Sequence, residues 1–391
     1  MTTLPPDFGV SITDEEFEAR FLALHKQLFA STEFGFDVVT THVYKPPAGM
    51  YQVDHSFFHD GEQWHLFYCT GDMTKSDIYT AAMAAGDWER AAANTVEPGI
   101  GHAIGPSLRE LRYQHLIEPP SLGDFDAITR SNGWAFRYNG RYGMVYGVRG
   151  QGGFVGFSLM WSDDLMTWQA GSGNPIFGRP DWAPPGATCK DIHITEHAGT
   201  FLLYYVTSDE QGYCCIALIS TTDWESFTDH GCVFQAAPMM RGTLGVESMS
   251  VVHRNGMWHL FFTYGLGLWH AVSPSPQRFV RARERSYNVG SGYYLMGPFH
   301  ATEVICDPSG AWWLTTDRKE ETRRLNREAG RLCYRGSYED EKTLEEGLYL
   351  SHIRWEGDQP ILEKPGNSLG RSVGGRMATD VNPRTTADRS T

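Results

Sequence analysis

One local pattern recurs five times along the chain and limits its fold more than any other feature. A turn glycine leads into an aromatic, β-rich strand in Gly61-Glu-Gln-Trp-His-Leu-Phe-Tyr68, Gly140-Arg-Tyr-Gly-Met-Val-Tyr146, Gly199-Thr-Phe-Leu-Leu-Tyr-Tyr205, Gly256-Met-Trp-His-Leu-Phe-Phe262 and Gly310-Ala-Trp-Trp-Leu-Thr315. A short apolar strand precedes each copy, so each reads as a hairpin. Differences between successive glycine numbers are 79, 59, 57 and 54 residues. A second element follows most hairpins: a strand, a Ser- or Asp-rich turn, then Trp or Phe. It reads Ser162-Asp-Asp-Leu-Met-Thr-Trp168, Ser220-Thr-Thr-Asp-Trp-Glu-Ser-Phe227 and Ser273-Pro-Ser-Pro-Gln-Arg-Phe279, with Ala85-Gly-Asp-Trp88 as a degenerate first copy. Two hairpins per period make a four-stranded sheet, and sheets repeating at this interval mark a β-propeller. The sequence therefore predicts an all-β fold, a five-bladed β-propeller over residues 50–362.

The flanks differ from the repeat. Thr13 and Glu16 form a capping box ahead of Phe17, Phe21, Leu24 and Leu28, which predicts a short N-terminal α-helix over residues 13–30 within a lead-in of 1–49. Residues 363–391 are polar and Gly-rich, an extended C-terminal tail that is expected to contact a second copy if the chain is a homo-oligomer. The stretch 89–130, with its prolines and charges, is expected to be an insertion over one face.

With 47 acidic against 33 basic residues the net charge is −14, which disfavours nucleic acid and anionic membranes as partners. MTTLPPDFGV has neither a basic start nor an apolar run, and no segment reaches about 18 uninterrupted apolar residues. The seven cysteines are scattered without a C-x-x-C pair, so the expected location is cytoplasmic, with reduced thiols.

The innermost strand of a propeller blade lines the central channel, so acids on the strand before each turn glycine are brought together. Three blades carry one: Asp54 in Val53-Asp54-His55-Ser56, Asp191 in Lys190-Asp191-Ile192-His193, and Glu247 in Val246-Glu247-Ser248. Acids in mostly apolar strands are costly unless paired or functional. This arrangement resembles the five-bladed glycosidases of glycoside hydrolase family 43 and the related families 32, 68, 117 and 130. Those families place an Asp in blade one, an Asp in blade three and a Glu in blade four. Trp134-Ala135 is similar to the Trp-Ala-Pro run those enzymes often show. Lys190 stands where the usual residue is Arg, and the prolines that commonly follow the acids are missing.

The resemblance implies cleavage of a glycosidic bond of a furanoside or pyranoside, in a small oligosaccharide or glycoside, with inversion where the chemistry is that of family 43. Glu247 is then the general acid, Asp54 the general base or nucleophile and Asp191 the group that tunes and orients. His55, Trp134, His193, Trp269 and His300 are the expected substrate-binding residues. No cofactor is expected, although the resemblance places calcium or a water cluster near a fifth-blade histidine, here His300. Asp191, His193 and His197 alternate along one strand, but no Cys completes a zinc set. Arg149 and Arg241 are the arginines a phosphorolytic relative would use. Two rivals differ in class: a same-fold enzyme acting on a non-glycan metabolite or transferring to phosphate, and a non-catalytic propeller that binds a sugar or a protein.

Overall fold

The computed structural model describes residues 40–235, 246–264, 267–279, 293–296, 300–318 and 347–365. The expected N-terminal helix, nearly all of the C-terminal tail and Arg241 lie outside them. Five antiparallel sheets form five blades. Blade one is Val53–His59, Trp64–Thr70, Gly99–Gly105 and Arg112–Ile117. Blade two is Thr129–Tyr138, Arg141–Arg149 and Val155–Ser162, edged by Phe177–Gly178 and Gln169–Ala170. Blade three is Lys190–His197, Thr200–Ser208, Cys214–Thr221 and Thr228–Phe234, and blade four is Val246–Arg254, Met257–Tyr264, Gly267–Ser273 and Tyr293–Met296. Blade five is His300–Cys306, Trp312–Arg318 and Gly347–Glu356. Its outer edge is shared: Thr41–Tyr44 pairs with Leu348–Leu350, and Gln359–Glu363 pairs with His352–Glu356. The lead-in thus supplies a strand that closes the ring, tying the start of the propeller to its end.

The repeated sequence elements fold as the same local structures. Asn139-Gly140, Ala198-Gly199 and Asn255-Gly256 all have positive φ at both positions, the conformation a two-residue hairpin turn needs to match strand twist. In the second element, Ser162 Oγ accepts the Leu165 N–H at 2.9 Å, and Thr221 Oγ1 accepts the Trp224 N–H at 2.9 Å. These turns hold Leu165 and Trp224 at φ 62° and 63° and drive both side chains into the core between blades.

Blade one departs from the sequence reading. Helices Ser76–Ala85 and Trp88–Ala93 are inserted between its second and third strands. The insertion is therefore residues 71–98, and much of 89–130 is blade strand. Ala85-Gly-Asp-Trp88 is no degenerate turn element: Gly86, φ 69°, ends one helix, and Asp87 caps the next by accepting the Arg90 N–H at 3.1 Å. Ala82 and Ala91 pack against Ile128 in a small core of their own.

One device is common to all five innermost strands. Each loses register by one residue against its partner, between Val53 and His55, Ser131 and Trp134, Lys190 and His193, Glu247 and Ser250, and His300 and Glu303. The bulge residue has positive φ in every blade: Asp54 43°, Asn132 55°, Asp191 55°, Ser248 47° and Ala301 48°. Asn and Asp tolerate this region best among residues with a side chain.

Two residues beyond each bulge, side chains stitch the blades together. Ser56 Oγ donates to the Gly133 carbonyl at 2.6 Å, and His193 Nε2 accepts the Val251 N–H at 3.0 Å. Ser250 Oγ accepts the Val304 N–H at 3.0 Å, and Glu303 accepts the Phe57 N–H at 2.8 Å. Trp134 completes the ring through its edge-on contact with His193, at 4.3 Å between centroids. Glu303 lies three residues after His300, a spacing that a regular strand would place on the opposite face; the bulge between them turns it into this ring instead.

Candidate active site

The bulge residues of all five blades, Asp54, Asn132, Asp191, Ser248 and Ala301, line one cavity of about 20 Å³ on the channel axis, space for a single water. Asp54 and Asp191 are structural equivalents. Glu247 is not their equivalent, because it precedes the bulge residue Ser248, and its counterparts are Lys190 and His300. Ser248, like Asp191, lies eight residues before its turn glycine (256−248 and 199−191), and Glu247 lies nine.

Around the cavity, polar groups form a closed circuit. Ser248 Oγ donates to Asp54 Oδ1 at 3.2 Å, and the Ser248 N–H donates to Asp191 Oδ2 at 3.2 Å. Lys190 Nζ bridges Asp191 Oδ2 at 3.1 Å and Glu247 Oε2 at 2.8 Å. The other Glu247 oxygen faces His300 Nε2 at 3.8 Å, and His300 Nδ1 donates to Asp317 Oδ1 at 2.8 Å. Asp317 Oδ2 accepts the Asp54 N–H at 2.8 Å, which closes the loop. Lys190 and His300 thus alternate with Asp191, Glu247 and Asp317, and Ser248 links Asp191 to the fourth carboxylate, Asp54.

The electrostatics follow from this packing. Burial raises the Asp191 pKa and Lys190 opposes it, but the nearby Asp54 and Glu247 charges add to the rise, and the result is about 6. Burial opposes charge on His300, yet the hydrogen-bonded Asp317, with Asp54 and Glu247, lifts its pKa to about 9. Burial likewise disfavours ionised Asp317, but the His300 charge holds it below the usual carboxylate range. Lys190 is half-buried, and its two carboxylates keep its pKa well above the ordinary lysine value.

The remaining expected residues divide. Trp134 lines the cavity from blade two. His55 also lines it, but its side chain is closed off from solvent and bonded to Thr315 Oγ1 at 2.6 Å, so it buttresses blade one against blade five. His193 lies below the bulge level in the stitching ring; burial keeps it neutral, with a pKa lowered to about 4. Trp269 is not brought to the site. It sits on the third strand of blade four, 2% exposed, in the core shared with blade three. His300 does face the carboxylates.

Asn132, Ser248 and Asp317 escaped the sequence reading. Asn132 and Ser248 are not acids, so a search for carboxylates passes over them. Asp317 lies on a second strand, and only its position beside His300 at the end of the fifth repeat, Thr315-Thr316-Asp317, signals it.

Asp54, His300 and Asp317 bring one ligand atom each within 4.8 Å of one another. This set fits calcium poorly. Calcium asks for six to eight oxygen ligands, whereas His300 offers nitrogen, carries a proton on each ring nitrogen when charged, and already occupies Asp317.

The five-bladed propeller is the fold of glycoside hydrolases of families 43 and 32. No protein-family model matches the sequence, and comparison with curated proteins finds no relative. Among solved structures, a thermostable family-43 glycoside hydrolase is similar at TM-score 0.56 and 13% identity, covering 85% of this chain and 98% of that one. The family 32 β-fructofuranosidase of Bombyx mori, as a mutant bound to sucrose, is similar at TM-score 0.58 and 14% identity, covering 91% of this chain and 71% of that one. The α-L-arabinanase of Cellvibrio cellulosa is similar at TM-score 0.55 and 14% identity, covering 80% and 95%. These likenesses establish the fold. Among the described residues, no helix is long and apolar enough to cross a membrane.

Proposed function

We propose that the protein is a glycoside hydrolase acting on a small oligosaccharide or glycoside by carboxylate acid–base catalysis. The observation that carries this reading is Ser248, which binds Asp54 through its hydroxyl and Asp191 through its amide while its chain neighbour is Glu247. One residue thereby holds three carboxylates from three blades around one cavity. Glycosidic cleavage needs this chemistry: one carboxyl protonates the leaving oxygen and one carboxylate activates water or attacks the anomeric carbon. Glu247 is assigned as the acid, Asp54 as the base and Asp191 as the group that tunes and orients them.

The acid role sets a requirement on Glu247. Lys190 at 2.8 Å and His300 at 3.8 Å stabilise its ionised form. A productive substrate must therefore loosen the Lys190 contact, leaving the ammonium on Asp191, so that Glu247 takes up a proton before the bond breaks. The same pairing favours a second reading, in which Glu247 stays ionised and serves as a base on a non-glycan metabolite. Phosphorolysis is the weaker variant, since four carboxylates repel a phosphate and the two cations are already engaged.

The test is turnover of aryl arabinofuranosides, xylosides, galactosides and fructofuranosides, with and without phosphate. Wild type should cleave at least one, and Glu247→Gln and Asp54→Asn should each lower kcat by about 10²–10⁴-fold. Cleavage that survives both substitutions, or no cleavage of any member, refutes the assignment. Turnover only with phosphate would make the enzyme a phosphorylase.

A further inference from the structure

Toward the other end of the innermost strands, away from the carboxylates, the channel opens into a second cavity of about 470 Å³. Its floor is the stitching level: Trp134, His193 and Glu303, with Thr195, His197 and His253 further out. Three features of this floor point to a ligand. His193 is 3% exposed; its Nε2 lies within hydrogen-bond distance of the Val251 N–H, the Val251 carbonyl and Thr195 Oγ1, while its Nδ1 has no hydrogen-bond partner among the described residues. Glu303 is 4% exposed with one oxygen occupied by the Phe57 N–H. Burial pushes its carboxyl well above the usual range, so it carries a proton to donate. Trp134 lines this cavity as well as the one beside the carboxylates, so its ring is the wall between them.

We propose that this far mouth is a second binding site, for an uncharged, polyhydroxylated molecule about the size of one sugar ring. Its volume falls within the range of small-molecule pockets, about 300–1,000 Å³. Neutral hydrogen-bonding groups at the floor match hydroxyls, which both donate and accept, and the indole and the apolar walls Ile194 and Val251 suit the C–H face of a ring. An anion would be buried without a cation on the floor, and Glu196, the other acid of the lining, is exposed to water, so it offers an ammonium only a screened partner. The proposal does not depend on which reaction the carboxylates perform.

Ligand-observed NMR on the full chain tests it, with arabinose, xylose, glucose and glycerol as probes and acetate and methylamine as charged controls. At neutral pH at least one neutral probe should bind, and binding should persist in the Asp54→Asn/Asp191→Asn double variant. Glu303→Gln, neutral and of the same shape, should retain it, and Glu303→Leu should weaken it at least tenfold. Should Glu303→Leu fail to fold, His253→Trp at the rim is expected to give the same loss. Failure of every neutral probe, tighter binding of a charged control, or loss in the double variant with retention in the far-mouth variants would each overturn the proposal.

Discussion

At the scale of the residue, the site rests on a backbone conformation that most side chains avoid. Asp54, Asp191 and Ser248 all occupy the bulge at positive φ, which turns their polar groups onto the channel axis. Among the described residues the Ser248 hydroxyl is the group that donates to Asp54 Oδ1, so Ser248→Ala should lower kcat while the Ser248 amide continues to hold Asp191. A steady-state comparison checks this, and unchanged kcat would separate Ser248 from the chemistry. Asp191 offers a pH signature. If its orienting role needs the ionised form, activity falls below about pH 6, where the raised carboxyl takes up its proton. Lys190 opposes that rise, so Lys190→Met should move the acid limb of the pH–rate profile upward; a limb that stays put or moves down would count against the arrangement.

Among the elements, the sites that bind blade to blade carry the mechanical load. Ser250 alone satisfies the Val304 N–H between blades four and five among the described contacts, and its hydroxyl is fully buried. Ser250→Ala should cost about 1–3 kcal/mol, the usual penalty for an orphaned buried donor, read from urea unfolding. The closing strand depends on Gly347, at φ 132°, where an added Cβ would lie 2.2 Å from the Tyr44 carbonyl oxygen. Gly347→Ala must shift Thr41–Tyr44 away from its partner strand. A loss of about 2–3 kcal/mol is expected, and a midpoint equal to wild type would show that this edge contributes little to closure.

For the whole molecule, histidines packed inside the blades set the acid limit of stability. Blades one and four repeat one arrangement: His65 Nδ1 meets His102 Nε2 at 2.9 Å, and His259 Nδ1 meets His270 Nε2 at 3.0 Å. Burial lowers the pKa of His102 to about 3 and those of His193 and His259 to about 4. For a histidine lowered on folding, the stabilisation is complete above the unfolded value near 6.5 and is lost as pH falls through it toward the folded value. Tm should therefore decline steadily between about pH 6.5 and 4. A flat Tm across that window, followed by circular dichroism, would show that these rings do not control unfolding. The sequence by itself determined the architecture, because glycine turns and aromatic strands are local signals and five copies of them leave one way to bury their apolar faces. It also marked Asp54, Asp191, Glu247 and His300, since acids and histidines in apolar strands stand out without knowledge of their neighbours. Two short Ala-rich helices escaped because their apolar face covers only Ile128 and gives a weak period. The circuit through Ser248, Lys190 and Asp317, and the burial of Trp269 in a core, were decided by tertiary structure alone. The circuit depends on a one-residue bulge that leaves no mark in the local sequence, yet sets which side chain of each blade meets those of the others at the axis, and Trp269 is buried because its strand packs against blade three.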